Sequence, residues 1–231
     1  NFEYLEYGPQ SGEVKKLVFT FHGYGRNGWF MDKIGKEIQA AFPCTKIYGL
    51  HAPEKLLMPK KLDVSDMNIP EELLQDDHNL HEDMQRQWFS MHGGKLKIWW
   101  RMWKLAPRIN RFVDQKRRHF GLKDKDIVYI GFSQGGAVAL YSALRRKSPM
   151  AAIVAHSAIY WGLMPVRSKF PVYFLYGDLD QSMPEKLYHA SIKKLKKYAR
   201  PLDVEELLDQ GHYMNARSRA KIVKYLQEYL V

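Results

Sequence analysis

Ser133 lies in Gly131-Phe132-Ser133-Gln134-Gly135, a GxSxG pattern that presents a serine hydroxyl at a sharp turn between a strand and a helix. Serine is a poor nucleophile in water. It needs a base to take its proton, a group to orient that base, and N–H donors for the oxyanion that develops. The local setting suits such a turn. The β-branched run Asp126–Ile130 leads into Gly131, and Gly135, Gly136, Ala137 and Ala139 follow, small enough for a helix to press against the sheet. So short a pattern arises by chance, and the weight falls on partners in the order serine, acid, histidine.

Two carboxylates, Asp178 and Asp180, follow the strand-like Phe174-Leu175-Tyr176 in the turn Gly177-Asp178-Leu179-Asp180. Asp180, three residues past the glycine, is the preferred orienting acid. Asp178 is the alternative, with a turn-shaping role through nearby backbone N–H groups as its other reading. Of the two histidines downstream, His189 falls within a helical pattern and reads as a surface residue. His212 follows Gly211 in a loop before the last helix, and is the expected base. The first oxyanion donor is the N–H of Gln134, the residue after the nucleophile. The second comes from the loop His22-Gly23-Tyr24-Gly25 after the first strong strand, through the backbone N–H of Tyr24. His22 precedes the serine and reads as a brace for that loop.

The elements that must hold these groups alternate. Strands are expected at Leu17–Phe21, Lys46–Leu50, Asp126–Ile130, Ala151–Ala155, Pro171–Tyr176 and Leu202–Leu207, and their near-continuous apolar runs suit a sheet buried on both faces. Helices are expected over Leu96–Val113, with Pro107 marking a kink or a start, and over Gly135–Arg146, Glu185–Tyr198 and Arg217–Leu230. The pattern predicts one α/β domain over residues 1–231, a mostly parallel central sheet with helices on both faces. The stretch from about residue 55 to 87, with Pro59, Pro70 and acidic pairs, reads as an excursion from the core, a loop or a lid.

A chain of 231 residues with 45% hydrophobic content can bury a large core without disulfides, and its one cysteine, Cys44, has no partner in the chain. That cysteine usage and the lack of an apolar run of about 20 residues point to a cytoplasmic protein. The net charge of +11 is carried by scattered groups such as Lys116-Arg117-Arg118 and Arg145-Arg146-Lys147, which read as solvated helix faces and ends. No nucleic-acid-binding module accompanies them. A weak contact with anionic membrane surfaces is the remaining partner that the charge suggests. Trp99, Trp100, Met102 and Trp103 sit at helical spacing and are expected in the core rather than at a lipid interface.

Taken together, Phe21-His22-Gly23-Tyr24-Gly25-Arg26-Asn27-Gly28, His51-Ala52-Pro53, Trp88-Phe89, Gly131-Phe132-Ser133-Gln134-Gly135-Gly136-Ala137, Gly177-Asp178-Leu179-Asp180 with Pro184, and Gly211-His212 resemble the phospholipase/carboxylesterase family. That family includes bacterial carboxylesterases and acyl-protein thioesterases of the α/β-hydrolase fold. The resemblance implies a triad of Ser133, Asp180 and His212, oxyanion donors at Tyr24 and Gln134, and a substrate pocket bordered by His22, Gly23, Trp88 and Phe89. It implies small acyl esters or thioesters as substrates, and neither cofactor nor metal. Three departures stand out: Ser90 where the family usually has an aspartate, a longer stretch from Pro53 to Trp88, and His156-Ser157 in place of a serine-glycine turn. All three are expected around the substrate pocket, where they would bear on acyl-chain preference.

Overall fold

The computed structural model describes residues 2–9, 12–56, 85–162 and 166–231. Its centre is a seven-stranded sheet in the order β1 (Tyr4–Tyr7), β3 (Thr45–Leu50), β2 (Lys16–Phe21), β6 (Ile127–Phe132), β7 (Ala152–His156), β8 (Phe170–Gly177) and β9 (Ala199–Leu207). All neighbours run parallel except β1, which is antiparallel to β3. Every residue of β3, β6 and β7 is buried, which is why their sequences read as unbroken apolar runs rather than alternating ones. β9 differs, being an edge strand with exposed Asp203 and Glu206, charges that discourage edge-to-edge pairing. β1 escapes the sequence reading because Tyr-Leu-Glu-Tyr is short and only half-buried.

Helices cover both faces. α2 (Gly94–His119), α3 (Gln134–Leu144) and α4 (Glu185–Leu195) pack on one side, through residues such as Met102, Ile109, Leu140 and Tyr188. α1 (Asp32–Ala41) and α5 (Ala216–Leu230) cover the other through Ile34, Ile38, Ile222 and Leu226. This is the mostly parallel sheet with helices on both faces that the alternating pattern predicts, and it agrees with the α/β-hydrolase fold that the resemblance implies. Pro107 neither starts nor ends a helix: α2 runs unbroken across it. Proline has no N–H for the carbonyl four residues back. That carbonyl belongs to Trp103, and it accepts instead from Arg145 Nη1 at 2.7 Å, with the guanidinium stacked over the Trp103 ring at 4.1 Å. Met102 is buried and Trp99 and Trp103 pack on the core, as their spacing predicts, whereas Trp100 is 52% exposed.

The excursion is closed at its base. β4 (Glu54–Lys55) pairs antiparallel with β5 (Arg86–Gln87), and Leu56 N–H donates to the Gln85 carbonyl. Of the stretch from about residue 55 to 87 expected to leave the core as a loop or a lid, residues 57–84 lie outside the described residues.

The contact that sets the site is the approach of α3 to the sheet. A Cβ on Gly135 would lie 2.2 Å from the Phe21 carbonyl oxygen and 2.4 Å from that of His22. Both obstacles are backbone and cannot swing aside. Gly135→Ala should therefore lower stability by about 1–3 kcal/mol or more, read as the midpoint of urea denaturation; an unchanged midpoint would contradict the packing described.

Candidate active site

The register of the sheet places Phe21 beside Gly131, Phe132 beside His156, and His156 beside Leu175. The carboxyl ends of β2, β6, β7 and β8 therefore form one rim, and the strand order reverses direction between β2 and β6. Open α/β sheets bind ligands at such a switch point. Ser133 stands there between β6 and α3 with φ 52° and ψ −120°, a positive φ that costs a residue with a side chain roughly 1–3 kcal/mol. The turn is held on both sides, since Ser133 N–H donates to the His156 carbonyl at 2.8 Å and Ala137 N–H to the Ser133 carbonyl at 3.1 Å. Gln134 is the first residue of α3, where an N–H has no carbonyl one turn back to bond.

The loops after β8 and β9 bring the other two groups to Ser133. His212 Nε2 lies 2.9 Å from Ser133 Oγ, and His212 Nδ1 lies 2.6 Å from Asp180 Oδ2. Asp180 Oδ1 accepts from Met183 N–H at 3.0 Å. The Asp180 side chain is 1% exposed and that of His212 5%, so the pair is withdrawn from water. Asp178, the alternative acid, holds the loops together: its Oδ1 accepts from Gln210 N–H at 3.1 Å, and Leu179 N–H donates to the Gln210 carbonyl at 3.0 Å. His189 is exposed on α4, facing Glu185.

The loop after β2 lies beside the serine, since a Cβ on Gly23 would sit 3.4 Å from that of Ser133. Its turn is fixed around Tyr24: Gly25 N–H donates to the Arg86 carbonyl and Arg26 N–H to that of Gly23. His22 is buried within it. Nδ1 donates to the Gly23 carbonyl at 2.7 Å while Nε2 accepts from Ala52 N–H at 3.0 Å, which specifies a neutral ring. Trp88 Nε1 donates to the His22 carbonyl at 2.8 Å. The Gln134 side chain completes the bracing, accepting from Trp88 N–H at 2.9 Å and donating to the Phe89 carbonyl at 2.8 Å. His22, Trp88 and Phe89 are buried, and their hydrogen bonds hold the backbone of the loop beside Ser133.

Behind the acid stand further side chains that the sequence reading gave no role at the triad. Tyr188, on α4, donates to Asp180 Oδ2 at 2.5 Å. Burial first, and then the Asp180 charge, push the Tyr188 hydroxyl's pKa up, so it stays a proton donor; Ser157 hydrogen-bonds to it in turn. Ser157, at φ 50°, lies 3.0 Å from His156 Nδ1, and Gln210 Nε2 lies 3.3 Å from His156 Nε2. The His156-Ser157 departure is part of the hydrogen-bonded line behind Asp180. Both residues are wholly buried and extend a line of hydrogen bonds that ends on Asp180. Only that departure hinted at the arrangement; nothing in the spacing singles out Tyr188.

Burial pushes both His22 and His156 down to about 3. Both stay neutral in the folded chain, whereas the unfolded chain protonates them below about 6.5. Stability is then fully present above that pH and is lost as pH falls from about 6.5 toward 3. Urea midpoints should drop between about pH 7 and pH 5, with a shallower drop in His156→Gln; a flat profile would contradict neutral burial.

A model of the phospholipase/carboxylesterase family matches residues 74–230. The match takes in β6, the Ser133 turn, Asp180 and His212, and begins after the Gly23–Gly25 loop. Among solved structures, the chain is similar to esterase PE8 at 24% identity and a TM-score of 0.78, covering 99% of each chain. It is similar to Arabidopsis thaliana SOBER1 at 16% identity and a TM-score of 0.70, over 94% of this chain and 99% of that one. A Bacillus cereus carboxylesterase matches at 12% identity and a TM-score of 0.70, over 99% and 94%. At such identities the likeness is one of fold, and the family match carries the assignment. The chain belongs to the phospholipase/carboxylesterase family of ester-hydrolysing α/β hydrolases.

Proposed function

We propose that the protein is a serine hydrolase that cleaves small carboxylic esters or acyl thioesters through an acyl-Ser133 intermediate. The observation that carries this reading is the unbroken line Ser133 Oγ–His212 Nε2, His212 Nδ1–Asp180 Oδ2, at 2.9 and 2.6 Å. In this reading His212 takes the Ser133 proton as Oγ attacks the acyl carbonyl. The N–H groups of Tyr24 and Gln134 hold the oxyanion, and Asp180 orients the ring and stabilises its cation. The imidazolium then protonates the departing alcohol or thiol. Water, deprotonated by His212, releases the acid and restores Ser133.

A second reading, a lysophospholipase working at a membrane surface, is favoured by one feature. Leu96 and Trp100, one turn apart on α2, are 78% and 52% exposed, and the Lys104 ammonium lies 3.5 Å from the centre of the Trp100 ring. Exposed aromatic and aliphatic side chains beside lysines suit a lipid interface. No helix among the described residues is long and apolar enough to cross a membrane.

Ser133→Ala should lower kcat on p-nitrophenyl butyrate by at least about 1000-fold; retained turnover would overturn the nucleophile. Comparing kcat/KM for p-nitrophenyl esters, an acyl-peptide thioester and a lysophospholipid separates the two readings. A lysophospholipid preference that Trp100→Ala abolishes would favour the second.

Tyr188→Phe tests the group behind the acid. Without its hydroxyl, Asp180 carries more of its own charge and holds the imidazolium more tightly. The lower limb of the kcat/KM profile should then move to higher pH, with more activity lost at about pH 6 than at about pH 8. An unmoved limb would make Tyr188 a packing residue only.

A further inference from the structure

Part of the charge of +11 gathers along one groove. At the far end of α3 from Ser133, the C-terminal half of α2 and the segments around Lys123 and Arg145 enclose a groove of about 720 Å³. A second groove of about 350 Å³ shares Asn110, Asp114, Arg145 and Arg167 with it. Only two carboxylates line the larger groove among the described residues, Asp114 and Asp124. Both are already committed. Arg146 Nη2 lies 2.5 Å from Asp114 and 2.7 Å from Asp124, and Arg117 Nε lies 3.5 and 3.3 Å from the same oxygens. Lys123, Lys125, Arg145, Lys147 and Arg167 line the groove beyond those pairs, and the smaller groove adds Arg111 and Arg118.

Two of these cations, Arg145 and Arg167, also act on each other. Burial, and then the charge of Arg167, pull the Arg145 pKa down, so two guanidinium groups repel across the wall of the groove. Such repulsion in a partly desolvated site is relieved when an anion lies between the charges.

We propose that this groove binds a small-molecule polyanion carrying at least two phosphate groups, at a site separate from the hydrolytic centre. The volume falls in the range of small-ligand sites, and guanidinium forks match phosphate oxygens in pairs. The lining argues against a bilayer or a single-stranded nucleic acid, which call on exposed apolar or aromatic side chains. Among the described residues, Pro149 is the only apolar one lining the larger groove. The 11 residues of α3 separate the groove from Ser133, about 17 Å at 1.5 Å per residue, so an ester held at the serine does not occupy it.

Isothermal titration of the full chain with inorganic tripolyphosphate tests the proposal, with Lys147→Glu/Arg167→Glu as the partner variant, both positions being exposed. Tripolyphosphate should bind the wild type, and the double variant should bind at least about tenfold more weakly while hydrolysing p-nitrophenyl butyrate at the wild-type rate. Lys123→Glu/Lys125→Glu, also exposed, serves the same purpose should the first variant fail to fold. Absence of binding to the wild type, or equal binding to a folded variant, would overturn the site. So would capture by phosphatidylserine vesicles or duplex DNA that tripolyphosphate fails to displace.

Discussion

The close approach of α3 to the end of β2 is the contact on which the rest of the site depends. Gly135 brings the helix start against the Phe21 and His22 carbonyls, and this one meeting of backbones does three things. It sets the start of α3 at the rim of the sheet. It forces Ser133 into a positive φ that lifts Oγ away from its own strand. It also sets the loop after β2 beside the serine.

Around that contact the polar side chains serve mostly to hold backbone. His22, Trp88 and Gln134 spend their hydrogen-bonding groups on loop carbonyls and N–H groups. Asp178 ties the acid loop to the histidine loop. Each of these groups is buried or paired, and an unsatisfied partner there would cost about 1–3 kcal/mol. Such connected networks are stiff, and stiffness is what the proposed oxyanion site would need, since donors must already be aimed when charge develops. The same logic extends behind Asp180, where Tyr188, Ser157 and His156 form a dry, hydrogen-bonded backing for the carboxylate.

The two ends of α3 present opposite chemistry. At its start, neutral buried histidines and backbone dipoles surround a serine. At its end, Arg145 and Arg146 open onto a cationic groove in which only two carboxylates offset the charge among the described residues. Arg145 also takes up the carbonyl that Pro107 leaves without an N–H partner, so the proline inside α2 and the groove beside it share one residue.

Much was legible in the sequence, for physical reasons. Buried parallel strands need unbroken apolar runs, so β2, β3, β6, β7 and β8 could be read directly. The order of Ser133, Asp180 and His212 along the chain, with glycines at the turns, named the candidate groups. Other features belong to the tertiary structure alone. Pro107 has an unbroken helix around it because Arg145, 38 residues away, satisfies the freed carbonyl. Asp180 and Asp178 carry the same side chain two positions apart, and only the fold gives one to His212 and the other to Gln210. Tyr188 reaches Asp180 because α4 folds back over the end of β8, a contact that no local pattern encodes. Local propensity and chain order are written residue by residue, whereas hydrogen bonds between distant loops exist only once the sheet has brought those loops to one rim.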